Sequence, residues 1–271
     1  MTSENYSTTH ELVKEAYTRA IQKEGGCCGG KPSRSAAATL AGYGETDVAN
    51  APNGAVESSF GCGNPVGLAG LQPGDTVVDL GAGAGLDLIL AARRVGPTGR
   101  IIGVDMTDAM IAAAKQNIAA TGLTNIEVRK GLIENLPVDA TSADWVVSNC
   151  VINLSPDKPR VFSEIARVLK PGGRFSISDI VVSDDIPTWI REMAGSYAAC
   201  VGGAISETAY LDGLRAAGLT DVRVVDRLVY EPRQVVAMVV NDFPDLDQSL
   251  VDRALPFIEN KVASLRVTGR K

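Results

Sequence analysis

The sequence predicts an α/β chain organised as a doubly wound, mostly parallel sheet whose last strand runs antiparallel, and three observations predict it. Thr76–Leu80 (TVVDL) is a short, β-branched apolar run bounded by Pro73-Gly74 and by glycines, the pattern of a strand buried on both faces. Gly81, Gly83 and Gly85 follow at once, and the apolar periodic segment Leu86–Val95 then reads as a helix. Strand and helix patterns go on alternating as far as Val182, as a parallel sheet with crossover helices requires.

Taken in order, Thr9–Lys23 carries Leu12, Val13, Ala16, Tyr17, Ala20 and Ile21 at helical spacing, and is read as a helix packing on the core as a lid. His10, at its start, reads as a solvated residue. A glycine loop with vicinal thiols, Cys27 and Cys28, follows, and Lys31–Ser59, rich in small and polar residues, reads as a long loop or short helices around a ligand. After the first strand, Arg100–Asp105 (RIIGVD) ends in an acid placed to accept hydrogen bonds from ribose hydroxyls. Thr107–Thr121 opens with a threonine cap and is followed by Gly122; Ile126–Lys130 is the third strand and Asp144–Ser148 the fourth. Lys158–Leu169 is a helix stopped by Pro171-Gly172-Gly173, and Arg174–Val182 is the fifth strand. Right-handed crossovers put every strand's carboxyl end on one edge, where the glycine loop, Asp105, Ile133-Glu134 and Cys150 should converge. Beyond Val182, Ile186–Cys200 and Ser206–Ala217 read as inserted helices, Val222–Val229 as the sixth strand, and Gln234–Glu259 as helical patches. Val262–Thr268 reads as a final antiparallel strand at the sheet's end.

The chain has 271 residues, 45% of them hydrophobic and 21% charged, enough for a sizeable core. A net charge of −6 offers no basic stripe for a phosphate backbone, so nucleic acid is not an expected partner. The polar start and the lack of a long apolar run point to no membrane and to a cytoplasmic location. Five cysteines spread over the chain, in a reducing compartment, read as thiols, ligands or catalytic groups rather than structural bridges. There is no C-x-x-C, which disfavours a zinc knuckle, although thiolates from distant segments can hold a soft centre. With one histidine in the chain, chemistry that needs an imidazole base has almost no candidate.

Glycine spacing separates the cofactor classes. A dinucleotide fingerprint wants G-x-G-x-x-G, whereas here the run is G-A-G-A-G, with Asp79 ahead of it and Leu86 where a last glycine would stand. The D-x-G-x-G-x-G run, with GVD closing the next strand, resembles the cofactor motifs of class I S-adenosylmethionine (SAM) methyltransferases, and implies their Rossmann-like sheet.

The phrases SFGCGNP, VGPTGRIIGVDMTDAMI, SNCVINL, ARVLKPGGRFSISDIV and YAACVGGA resemble the arsenite methyltransferase family, over roughly Tyr6 to Lys271 and most densely from Gly61 to Ala204. The resemblance implies that Cys62, Cys150 and Cys200 bind trivalent arsenic as three thiolates. It implies that Gly81, Gly83, Asp105, Met106, Ile133 and Glu134 hold SAM, with Phe60, Asp79, Gly85 and Asn149 counted among the cofactor residues. Phe60 stands where a tyrosine is common in the family, which removes a hydroxyl beside the cofactor. The Cys27-Cys28 pair stands for the family's N-terminal cysteine and supplies a redox partner for Cys62, reset by glutathione or thioredoxin. Three segments follow: 1–70 as a helix and thiol-bearing lid, 71–182 as the SAM-binding core, and 183–271 as arsenic-binding helices and strands completing the sheet.

The chemistry suits the residues. Soft thiolates match a thiophilic As(III) centre, whose lone pair can take a methyl group with no proton removed. Two other functions fit parts of the pattern: a SAM-dependent carbon methyltransferase of a quinone-like molecule, and a non-catalytic thiol protein that binds arsenic or soft metals. The first predicts indifference to Cys150→Ser, the second arsenite binding without SAM uptake.

Overall fold

The computed structural model describes residues 3–22, 41–59, 61–192, 200–236 and 248–271. Helix α1 (Ser3–Gln22) is followed by three short helices, α2 (Glu45–Asn50), α3 (Asn53–Glu57) and α4 (Pro65–Leu68). The alternating region then runs β1 (Thr76–Leu80), α5 (Leu86–Val95), β2 (Arg100–Asp105), α6 (Asp108–Ala119), β3 (Ile126–Lys130), β4 (Ala143–Asn149), α7 (Lys158–Val168) and β5 (Leu169–Val182). It closes with α8 (Thr188–Arg191), α9 (Glu207–Ala216), β6 (Thr220–Val229), α10 (Gln248–Ile258) and β7 (Val262–Arg270).

The sheet has seven strands in the order β3-β2-β1-β4-β5-β7-β6. Strands β1 to β5 pair in parallel, and β7 runs antiparallel to both β5 and β6. The last strand is antiparallel as expected, but it lies between β5 and β6 rather than at the sheet's end, and β6 is the edge. The parity of β1 shows why its run is apolar throughout. Val78 and Leu80 pack on one face in the cluster that holds Phe162 and Ile165 of α7, while Val77 packs on the other with Leu88 and Ile89 of α5. Gly103 of β2 lets α5 close on the sheet, because a Cβ there would lie 2.7 Å from the Leu88 side chain.

Several local expectations are corrected. Helix α7 ends at Val168, before Pro171-Gly172-Gly173, because Leu169 already pairs with Ala143; the Pro-Gly-Gly run makes an irregularity within the β4–β5 ladder. Thr107 occupies the cap of α6 but its side chain makes no cap bond; its N–H instead donates to Asp105 Oδ1 at 2.8 Å. Of the helix read over Ile186–Cys200, Thr188–Arg191 is helical and 193–199 lie outside the described residues. No helix among the described residues is long and apolar enough to cross a membrane.

Candidate active site

The strand order reverses between β1 and β4, and there the loops that leave the two strands diverge to open a crevice at their carboxyl ends. A cavity of about 910 Å³, including its open mouth, fills this crevice. Its floor is Gly81–Ala84 and Asp87, one wall is Asp105–Thr107 and Gly131–Glu134, another is Asn149–Val151, and His10, Val13 and Tyr17 of α1 roof it.

The glycine loop bends over this floor with left-handed backbone, φ +67° at Gly81 and +50° at Gly83. A Cβ on Gly81 would overlap the Val151 side chain, so only glycine permits the β4 loop to close over it. Gly83 N–H donates to Asp105 Oδ2 at 3.0 Å, which ties the loop to the acid that ends β2. With Oδ1 taken by Thr107 N–H, the Asp105 carboxylate still has lone pairs for ribose hydroxyls. Burial raises its pKa, and the backbone N–H groups of Thr107 and Gly83 pull it back down.

The loop with Ile133 and Glu134 is pinned from α7. Glu164 accepts Leu136 N–H at 2.7 Å and pairs with Arg167, which donates to the carbonyls of Leu136 and Val138. At the mouth, Glu134 Oε1 accepts from Ser155 Oγ and lies 3.0 Å from His10 Nε2. His10 is therefore neither solvated nor at a helix start: it sits mid-way along α1, largely buried against Glu134.

Two residues assigned to the cofactor do not line the cavity. Asp79 points from β1 into the packed layer beneath the loop, where burial, then the charges of Asp87 and Asp105, raises its pKa well above the carboxylate range. Gly85 takes φ +91° and opens α5, its missing Cβ facing Ala114 at 3.3 Å. Sequence reasoning passed over Asp87 and Tyr43. Tyr43 Oη donates to Asp87 Oδ1 at 2.9 Å and Oδ2 at 3.0 Å; burial pushes the Asp87 carboxyl up to about 6, against the lowering effect of its bonds from Asn149 and Tyr43. An acid in the first turn of the helix after the loop was the one local signal.

Cys62, Cys150 and Cys200 come together. Cys62 and Cys150 form a disulfide with Cα atoms 5.8 Å apart, and Cys200 Sγ donates to the Cys150 carbonyl at 2.9 Å. All three are buried in one apolar cluster with Val13, Leu154, Ile180, Ile186 and Ile258. Cys150 and Cys200 hold left-handed backbone, φ +57° and +61°, a strain cysteine tolerates only where packing imposes it. The disulfide corrects the reading of these cysteines as unbridged thiols: chain separation hid a pair that the sheet brings within bonding distance. In this oxidised form two of the three sulfurs expected as thiolates are bonded to each other, and Cys62 pairs with Cys150 rather than with Cys27 or Cys28. Cys27, Cys28 and Phe60 lie outside the described residues. Beside the cluster, Lys158 Nζ donates to the carbonyls of Ser155 and Asn153; burial lowers its pKa, while the fields of Asp179 and Cys200 raise it.

The residues present fit SAM: a glycine cradle, an acid for the ribose, and apolar Ile133 and Met106 with Glu134 at the far wall. Such a cradle on a sheet of this order is that of a class I SAM-dependent methyltransferase, and a methyltransferase-domain family model matches residues 71–222. An arsenite methyltransferase of Halobacterium salinarum is 41% identical over 256 residues, covering 89% of this chain and 63% of its own. Another, from Aquipseudomonas alcaligenes, is 34% identical over 231 residues, covering 80% of this chain and 64% of its own. The chain thus spans a little under two thirds of the length of these relatives. The crystal structure of an arsenic(III) SAM methyltransferase from Chlamydomonas reinhardtii superposes with a TM-score of 0.65 at 31% identity, covering 89% of this chain and 75% of that one. The chain belongs to the arsenite methyltransferase-like family of class I methyltransferases.

Proposed function

We propose that the chain transfers the methyl group of SAM to trivalent arsenic held by the sulfurs of Cys62, Cys150 and Cys200. The observation that carries this reading is the meeting of three cysteines from distant parts of the chain in one apolar cluster, with Cys150 also lining the cofactor cavity. Gly81, Gly83, Asp105, Met106, Ile133 and Glu134 would hold SAM, which supplies an electrophilic methyl group when bound. In the reduced protein, each thiol proton leaves with a hydroxyl of arsenite as water while an As–S bond forms. The arsenic keeps its lone pair, so no general base is required, and the one histidine is engaged with Glu134 instead. The protein's part is orientation, proximity and exclusion of water, and the burial of all three cysteines serves the last.

Methylation formally raises arsenic to the pentavalent state, and two electrons from a thiol pair return it to the trivalent state as that pair closes into a disulfide. Cys62–Cys150 is such a pair. Attack by the Cys27 or Cys28 thiolate on Cys62 would release Cys150 as thiolate, and glutathione or a thioredoxin would reduce the resulting disulfide. The test is arsenic speciation after incubating the reduced protein with arsenite, SAM and a thiol. Methylated arsenic from the wild type, with a fall of at least about 100-fold in Cys150→Ser and Cys200→Ser variants that still bind SAM, is the expected result. A wild type that binds SAM and yields no methylated arsenic overturns the reading.

A further inference from the structure

We infer that Asn149 is a positioning residue that fixes the Cys62 turn against the cofactor loop; its catalytic consequence rests on the function proposed above, its geometry does not. Asn149 ends β4, one residue before Cys150. Its Oδ1 accepts the N–H groups of Cys62 at 3.0 Å and Gly63 at 3.2 Å. Its Nδ2 faces Gly63 O at 2.7 Å, Tyr43 Oη at 2.9 Å and Asp87 Oδ2 at 3.2 Å. One amide thus connects the thiol turn to the first turn of α5, the helix that the glycine loop opens.

The flanking glycines make this approach feasible. A Cβ on Gly61 would overlap the Asn149 amide, and one on Gly63 would lie 2.5 Å from Ser178 Oγ. On the other side, Ser264 Oγ of β7 donates to the Cys62 carbonyl at 3.0 Å, so both backbone groups of Cys62 are held by side chains rooted in the sheet. Two amide hydrogens already serve three acceptors, which leaves Asn149 no spare donor for a cofactor. Its effect passes through Cys62: it sets the local concentration of that sulfur at Cys150, and with it the place of anything the sulfurs hold relative to the cavity.

The experiment reads the positioning directly. The reduced chain is equilibrated with oxidised and reduced glutathione, where closing the protein disulfide consumes one oxidised glutathione and releases two reduced ones, and the Cys62–Cys150 bond is quantified by peptide mapping. In Asn149→Ala the closing constant should fall at least about tenfold, roughly 30 mV. Turnover at saturating SAM and arsenite should fall roughly 10- to 100-fold, a larger factor than any accompanying rise in the Kd for SAM from calorimetry. Tyr43→Phe, which deletes a single hydroxyl, should shift the closing constant and turnover in the same direction by smaller factors, and serves if the alanine variant does not fold. An unchanged closing constant in both variants overturns the inference, as does a loss of turnover matched by an equal rise in the Kd for SAM. A wild type that makes no methylated arsenic, with the closing constants moving as stated, sinks the proposed function and leaves the positioning role standing.

Discussion

Left-handed backbone at Gly81 and at Gly122 differs in what surrounds it. At Gly122, φ is +72° and nothing lies within 4 Å of an added Cβ, so Gly122→Ala meets backbone strain alone, about 1–2 kcal/mol. At Gly81 the same methyl also meets Val151, whose side chain closes the β4 loop over the cradle. We expect Gly81→Ala to lower the thermal midpoint more than Gly122→Ala and to raise the Kd for SAM at least about tenfold, an effect that Gly122→Ala lacks. Equal SAM affinities in the two variants would show that the loop does not cradle the cofactor. Much at this scale was legible in the sequence: the glycines, Asp105 and the cysteines sit in short motifs whose chemistry is local. Tyr43 and His10 were not legible, because Tyr43 meets Asp87 across 44 positions and His10 meets Glu134 across 124. Only the closed fold gives those side chains their partners.

Helix α1 reaches the site through one face, with His10, Val13 and Tyr17 a helical stripe over the cavity mouth. One polar tie is the His10–Glu134 contact, largely screened from water. His10→Ala should weaken SAM binding about three- to tenfold, the size of one part-buried hydrogen bond, and leave the midpoint within a few degrees of wild type. Calorimetric titration decides it; unchanged affinity would mean that α1 does not serve as a roof. The elements themselves were read well where a period of two or 3.6 repeats locally, as in β1, α5 and β2. The place of β7 between β5 and β6 was not readable. A strand's own pattern reports which faces are buried but not which neighbours it pairs with, and here β7 begins 80 residues after β5 ends at Val182 and 33 after β6 ends at Val229.

Across the whole molecule, buried acids set how stability depends on pH. Burial pushes Asp179 up to about 7, although Ile180 N–H, Asn153 and Tyr210 all donate to it, and Asp79 and Asp87 shift the same way. A carboxyl that binds its proton more tightly in the folded than in the unfolded chain adds stability in full below the unfolded value of 3.8. That contribution is lost as pH rises through the folded value. For Asp179 the difference corresponds to roughly 4 kcal/mol spread between about pH 4 and 7. Urea unfolding of the wild type should therefore weaken from pH 5 to pH 8, and Asp179→Asn should flatten that slope; parallel slopes would remove Asp179 as the cause. The cysteine cluster also bears on how the molecule is made. Its members stand 88 and 50 positions apart, so no short nascent stretch brings two of these sulfurs together. On the function proposed above, gripping by these three sulfurs begins only once the distant segments that carry them have met in the folded chain. A ligand held in that way would bind the native state more tightly than the unfolded chain, so its capture would draw late assembly forward by mass action.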